Sequence, residues 1–269
     1  MSSFQLGLVI GIGAAGSVAL LAAFLRLLKP SGAWAAFALG SVVFGLGGLA
    51  WSVALMAFFL LSSLLSKLSP QRGRRERERT EMIFEKGSTR DAGQVWANGG
   101  IAGIIVIIHY FHPDPSIVIA YLGSLAAAAA DTWGTEIGVM SGGATISLLT
   151  LRRVEVGRSG GISVMGSLGA IAGAASVAAS GAWWSGGPAR TILLVVIAGT
   201  VGMLADSLLG TTVQAGYRCD RCGMRTERSI HCGGPAELVT GFRWMNNDLV
   251  NILCCATGGG IAWLLATFF

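Results

Sequence analysis

Charge is what this chain lacks. Asp, Glu, Lys and Arg make up 12% of its 269 residues, against about 25% in soluble globular domains. With 53% hydrophobic residues and a mean hydropathy of +0.66, that scarcity excludes an ordinary soluble fold. Lysine is scarcer still, limited to Lys29, Lys67 and Lys86. No G-x-x-x-x-G-K-[ST] sequence occurs, so any nucleotide is bound without a P-loop. The cysteines are too few and too clustered for a disulfide framework. Residues 1–5 carry no basic side chain, and a cleavable signal peptide is not expected.

Glycine and long apolar runs are abundant instead. Forty glycines suit transmembrane helices that approach closely through small residues. The chain reads as an all-α, polytopic transmembrane bundle forming one integral-membrane domain over 1–269. Eight spans of about 20 residues fit it. The first covers 4–28. The run 33–66 is too long for one span and divides at Gly45-Leu46-Gly47-Gly48. The others cover about 93–111, 116–140, 161–184, 191–214 and 248 to the C-terminus. His112-Pro113-Asp114-Pro115 makes a tight turn. A basic segment, 67–92, and a Cys-bearing loop, 215–246, lie between spans.

Cytoplasmic loops carry an excess of Lys and Arg. With eight spans and both termini on the non-cytoplasmic side, every Lys and Arg except Arg190 falls on the cytoplasmic face. The net charge of +5 therefore reflects short membrane loops and implies no nucleic-acid partner.

Three stretches break the apolar pattern with acids. AAAAADTWGTEIGVM (126–140) carries Asp131 and Glu136, GMLADSLLGTTVQ (202–214) carries Asp206 and ends on Gln214, and NNDLVN (246–251) opens the last span. A charged side chain at mid-membrane costs about 2.5–3.5 kcal/mol, so such residues default to function. The topology gathers Asp131, Glu136, Asp206 and Asp248 near the cytoplasmic ends of their spans. Asp131 and Glu136, five residues apart, do not share a helix face, and Gly134 would permit a local break turning both inward. Carboxylates facing a cytoplasmic opening suit Mg2+, a hard cation that binds carboxylate and phosphate oxygens. Each could instead be a satisfied structural acid, or part of a proton or sodium pathway.

Asn247, Asp248 and Asn251 share one flank of a helix N-terminus at i, i+3 and i, i+4 spacing. One of this group's Asn or Asp residues is an ordinary N-cap. Arg90 and Gln94 precede Asn98-Gly99-Gly100, and Arg158-Ser159 precede Gly160-Gly161. Each joins a cation to glycines at an expected helix start, where free N–H groups favour phosphate. The Arg72–Arg79 mixture of Arg and Glu reads as a solvated or headgroup-facing segment. Gly11-x-Gly13-x-x-Gly16 matches the dinucleotide fingerprint but lies inside an apolar run, so it reads as helix packing. Cys219, Cys222, His231 and Cys232 have the ligand types of a small Zn2+ site, although adjacent His and Cys rarely ligate one ion. Otherwise they form a reduced thiol cluster. Cys254 and Cys255 read as small apolar fillers, and His109 and His112 as residues of the outer interface. A faint internal echo pairs NGGI (98–101) with SGGI (159–162), and ADT (130–132) with ADS (205–207).

The segments ADTWGTEIG (130–138), GGISVMGSLGA (160–170), ADSLLGTTVQ (205–214), the C-x-x-C…H-C loop and NNDLVN together resemble a widespread integral-membrane family. RDAGQVWANGG (90–100) and FFLLSSLLSKL (58–68) match it too, so the resemblance spans nearly the whole chain. It departs at Glu155-Val156-Gly157, where relatives carry Pro-Gly. That family includes the plant chloroplast phytyl-phosphate kinase and is distantly similar to CTP-dependent phytol and dolichol kinases. The resemblance implies a kinase in a bacterial inner membrane or a plastid membrane. It would transfer a phosphoryl group from a nucleoside triphosphate, CTP or ATP, to a prenyl monophosphate. Asp131, Glu136 and Asp206 would hold Mg2+. Asn247, Asp248 and Asn251 would complete the metal or nucleotide site. Arg90, Gln94, Asn98, Arg158, Ser159 and Gln214 would contact phosphates.

Two rival readings stand beside it: a lipid-phosphate cytidylyltransferase, and an ion-coupled secondary transporter using the intramembrane acids. Transporters place such acids near the bilayer midplane. No residue pattern assigns an oligomeric state.

Overall fold

The computed structural model describes residues 3–68, 87, 89–185 and 187–268. Arg72–Arg79 lies outside the described residues. Among those described, eight long helices run α1 (Ser3–Phe24), α2 (Pro30–Val42, prolonged by a π-turn, Val43–Gly47), α3 (Gly48–Leu68), α4 (Ala92–Phe111), α5 (Pro115–Ser141), α6 (Val164–Ala182), α7 (Pro188–Thr212) and α8 (Asn247–Phe268). The bundle is all-α, as expected.

Pro30–Leu68 is a continuous 39-residue apolar stretch, which as a straight helix would reach about 58 Å. It folds back instead. Gly48 adopts φ 74°, a left-handed value open to glycine, after the wide π-turn. Lys67 Nζ, at the end of α3, then donates to Leu25 O, just ahead of α2, at 2.6 Å. The stretch thus forms two helices, α2 and α3, that double back on one another at the GLGG run. They splay apart: α2 packs on α1 and α4, while α3 packs on α5 and α6. Gly11 of the fingerprint-like run lies in α1, where a Cβ would sit 2.8 Å from the Gly45 nitrogen. It is a helix-packing glycine.

Helix α5 is the axis of the fold. Every residue from Ile119 to Ala130 is buried, and α6, α7 and α8 pack along it. In lipid, association rests on close van der Waals contact between small residues. A Cβ at Gly202 (α7) would lie 2.6 Å from the Ala127 Cβ (α5) and 2.9 Å from Cys254 O (α8). The three helices therefore nearly touch backbones one turn below Asp131 and Asp206.

The two ends of the bundle differ. Leu27–Lys29, Lys67, Arg90 and the ends of α5 and α7 share one end, held partly by Lys29 N–H donating to Arg90 O and Arg90 N–H to Leu27 O. Arg190 lies at the other, where Nη2 donates to Ala266 O near the end of α8. Exposed Trp34, Phe242 and Trp244 ring the basic end, and exposed Trp183, Phe111 and Phe268 the opposite one. Trp34 and Trp244 at one end and Trp183 at the other stand where amphipathic aromatic rings favour a membrane–water interface. Inside the opposite half, Trp51 packs on Tyr121, His109 and Trp184, with ring centroids 4.6, 4.8 and 5.5 Å away. Tyr121 donates its hydroxyl to Trp51 O.

Two loops at the basic end are built, not irregular. Residues 142–163 hold a three-stranded antiparallel sheet of β1 (Thr145–Ser147), β2 (Arg153–Val154) and β3 (Gly161–Ile162). The loop before α8 holds β4 (Gly216–Arg218), β5 (Arg225–Thr226), β6 (Ile230–His231), β7 (Gly234–Pro235) and β8 (Glu237–Thr240). Strands this short leave little periodicity to read in a sequence. Because β3 takes up Gly161, the sixth helix begins at Val164, with Ser163 as N-cap, and not at 161.

Candidate functional site

A cavity of about 320 Å3 lies at the basic end, lined by α4, α5, α6, α7 and α8 together with both loops. Arg90, Gln94, Asn98, Asp131, Glu136, Arg158, Ser159, Asp206, Gln214, Asn247 and Asn251 all line it. Asp248 does not. It occupies the first turn of α8, where a negative charge favours the helix N-terminus.

Asp131 and Asp206 are the centre. Their helices are pressed together at Ala127 and Gly202, so the next turn brings the two carboxyls within hydrogen-bonding reach of each other. Glu227, from the Cys-bearing loop, is close enough to act electrostatically on both. Carboxyls this close cannot all be ionised without a proton or a cation between them. Asp131 stands ten residues before Ser141, the end of α5, a depth of about 15 Å. The cavity is thus sunk further into the bundle than a position near the end of the span implies.

Helix α5 is unbroken through Gly134, contrary to the expected local break. Gly134 is needed for packing, since a Cβ there would lie 3.3 Å from both the Ala170 Cβ and Gly166 O of α6. Asp131 and Glu136 reach one cavity because it wraps around the helix. Glu136 has Arg90 as its charged neighbour.

Arg90 is buried at 8% exposure. Burial pulls its guanidinium down to about 10, opposed by the Glu136 charge, so it stays cationic at neutral pH. Its carbon Cζ lies 5.1 Å from the Phe58 ring and 5.9 Å from the Phe59 ring, a cation–π cradle. Both phenylalanines begin the FFLLSSLLSKL segment, whose Ser66 also lines the cavity. Asp91 caps α4: its Oδ1 accepts from Gln94 N, and Gln94 Oε1 accepts from Asp91 N, a reciprocal capping box. Asn98, Gly99 and Gly100 therefore sit within the helix, not at its opening. Their N–H groups are not the free donors expected there, and Asn98 instead donates its amide to Gln94 O.

On the opposite wall, Gly160 (φ 72°) threads between Thr211 and Ser207, where a Cβ would collide with both residues. That contact docks the Arg158-Ser159-Gly160 turn on α7. Ser159 Oγ donates to Glu227 Oε1 at 2.7 Å, and Gln214 Nε2 donates to the same oxygen at 3.0 Å. Glu227 is the residue that sequence reasoning missed. It stands in a polar loop between Arg225 and Arg228, where a carboxylate attracts no notice. In NNDLVN, Asn246 Oδ1 accepts from Leu249 N and is the ordinary cap, leaving Asn247 and buried Asn251 to line the cavity. Cys254 and Cys255 are buried in α8, their thiols directed at Ala127 O and Asn98 O.

Away from the cavity, Cys219, Cys222, His231 and Cys232 bring one ligand atom each to within 4.8 Å of one another. Cys219 is pulled down to about 6, first by the Cys222 backbone N–H and then by His231. Cys232 is raised to about 11, chiefly by its hydrogen bond to Cys222.

A family model described as "Integral membrane protein DUF92" matches residues 13–259. Protein PGR of Arabidopsis thaliana is 29% identical over 254 residues, covering 85% of this chain and 85% of its own. An uncharacterized membrane protein of Methanocaldococcus jannaschii is 26% identical over 240 residues, 89% of this chain and 86% of its own. Protein VTE6, chloroplastic, of Arabidopsis thaliana is 22% identical over 247 residues, 90% of this chain and 66% of its own. No solved structure matches significantly. From residue 13 to residue 259, nearly end to end, the chain belongs to the integral-membrane family DUF92.

Proposed function

We propose that this protein is a membrane prenyl-phosphate kinase, moving the terminal phosphoryl group of a nucleoside triphosphate onto a prenyl monophosphate. The observation that carries this reading is the Asp131–Asp206 carboxyl pair, sunk in a cavity whose walls also present Arg90 and Arg158. Acids and arginines in one membrane cavity suit a metal–phosphate complex better than either charge alone would. The family resemblance, which includes the plant chloroplast phytyl-phosphate kinase, points the same way.

The donor set fits Mg2+. Among the described residues the cavity lining holds no His or Cys, so its donors are hard oxygens. Asp131 and Asp206 would hold the ion, with Glu227 facing the pair. A divalent cation held by these residues would supply charge neutralisation for the transferring phosphoryl group. Arg90, stacked on Phe58 and Phe59 and opposed by Glu136, is fixed in orientation and offers its fork to a phosphate. Arg158, more exposed, reaches from the docked turn. Asn247, Asn251 and Gln214 supply amides for the nucleotide or its phosphates. A phosphate monoester acceptor is already anionic at neutral pH, so no buried general base is required. Its prenyl chain would remain in the apolar surroundings of the helices.

Secondary transport finds less support. On the far side of the acids from the basic end, Trp51 packs on Tyr121 and Trp184 and narrows any path through the bundle. The experiment is direct: purified protein in detergent receives Mg2+, labelled CTP or ATP, and a panel of prenyl monophosphates. The kinase yields prenyl diphosphate and nucleoside diphosphate. Pyrophosphate with a CMP-linked lipid would identify a cytidylyltransferase instead, and no product with any acceptor would contradict both.

A further inference from the structure

We propose that the loop before α8 is a zinc-stapled module, held by Cys219, Cys222, His231 and Cys232, which fixes Glu227 over the cavity. The proposal stands on ligand geometry and does not depend on the kinase reading. The four ligand atoms all lie within 4.8 Å of one another. Cys222 Sγ is 3.6 Å and Cys232 Sγ 3.2 Å from His231 Nδ1. A tetrahedral Zn2+ with bonds of about 2.3 Å to sulfur and 2.0–2.1 Å to nitrogen needs ligand separations of about 3.5–3.8 Å. The observed spread brackets that tetrahedron.

The backbone is shaped for it. Cys219 N–H donates to Met224 O, and Gly223 N–H to Cys219 O, forming a tight turn that carries Cys219 and Cys222. The second pair comes from a two-residue hairpin. His231 pairs with Gly234 across β6 and β7, and the linking residues Cys232 and Gly233 have φ of 51° and 74°. Positive φ at both positions is the type I′ turn, for which Asn-Gly is the usual choice. A cysteine in the first of these positions is a backbone outlier that asks for a reason. The reversal supplies one, because it returns the Cys232 thiol to the side of the His231 ring. Adjacent residues can then ligate the same ion, which on an extended strand they could not.

The consequence reaches the cavity. Glu227 lies between the two halves of the cluster, five residues after Cys222 and four before His231. The short β4–β5 pairing ends one residue before it, at Thr226. An ion joining the two halves would pin both sides of the segment that delivers Glu227 to Ser159 and Gln214.

The test measures zinc in full-length protein purified in detergent, reduced and free of chelator. One zinc per chain is expected, falling below a tenth in Cys222→Ser. Should that variant fail to fold, the wild type decides the matter. Removing zinc with a chelator should speed tryptic cleavage at Arg221, Arg225 or Arg228 at least tenfold while helical circular dichroism is unchanged, and re-added zinc should restore protection. Co2+ in its place should give the intense visible bands of a tetrahedral thiolate site. Less than a fifth of an equivalent of zinc, a disulfide among these cysteines, zinc retained by a folded Cys222→Ser, or cleavage indifferent to the chelator would each overturn the proposal.

Discussion

Asp131 of α5 and Asp206 of α7 face each other across a helix crossing tight enough for Ala127 and Gly202 to touch, one turn below. Packing of small residues thus forces two acids together at a depth where either alone would be costly. A shared proton or a cation would resolve that conflict, and the conflict itself is measurable.

Asp131→Asn should raise the thermal midpoint of metal-free protein, because an amide can donate to the remaining carboxylate and the like-charge conflict is gone. In the same variant turnover should fall by about 100-fold or more, in line with the loss of a metal ligand. Thermal unfolding in EDTA beside a kinase assay checks both. A midpoint that falls while activity persists would mark Asp131 as a structural acid.

Glu227→Gln removes a charge and leaves an oxygen for Ser159 and Gln214 to donate to. The loop should stay docked, with unchanged proteolysis, while KM for the metal–nucleotide rises about tenfold because the charge facing the Asp131–Asp206 pair is gone. Glu227→Ala should lose both the docking and the affinity.

Arg90→Lys keeps the charge but loses the planar fork and its stacking on Phe58 and Phe59. KM for the prenyl phosphate should rise about tenfold, and Arg90→Ala should cost about 100-fold in kcat/KM. Burial draws Arg90 down to about 10. Its protonated form therefore persists through pH 8 and is lost as pH climbs through 10. Acceptor KM should be steady from pH 7 to 8.5 and rise above that, and a flat profile to pH 10.5 would remove Arg90 from phosphate binding.

Gly160→Ala and Gly142→Ala separate docking from backbone strain. Both glycines have positive φ, 72° and 59°, but a Cβ at Gly142 meets open space, whereas at Gly160 it strikes Thr211 and Ser207. The Gly142 variant should lose about 1 kcal/mol of stability, the cost of the left-handed backbone alone. The Gly160 variant should lose about 2–4 kcal/mol, with impaired turnover, because the Arg158 turn must leave α7. Thermal denaturation of both variants gives the comparison.

Legibility followed contrast. An acid in an apolar run stands out, which is why Asp131 and Asp206 could be read from the chain, and the fold-back at Gly48 was signalled by three glycines in four residues. Glu227 could not be read, since a carboxylate among arginines is ordinary and its partners lie 68 and 13 residues away. Gly134 misled because glycine serves equally as a break and as a packing surface, and only the position of α6 distinguishes them. Asn98-Gly99-Gly100 misled for a related reason: the capping box of Asp91 and Gln94 starts α4 earlier, turning an expected helix opening into helix interior. Asp248, grouped by spacing with Asn247 and Asn251, shares their helix flank but not their cavity.

The central claim is that Asp131 and Asp206 hold a divalent cation together, and electron paramagnetic resonance of bound Mn2+ addresses it most directly. Protein in detergent, titrated with Mn2+ and a nucleoside triphosphate, should immobilise the ion in the wild type and release it competitively to Mg2+. The Asp131→Asn, Asp206→Asn double variant, folded and of unchanged helicity, should leave the ion free in solution. Equal Mn2+ binding by the double variant would contradict the account.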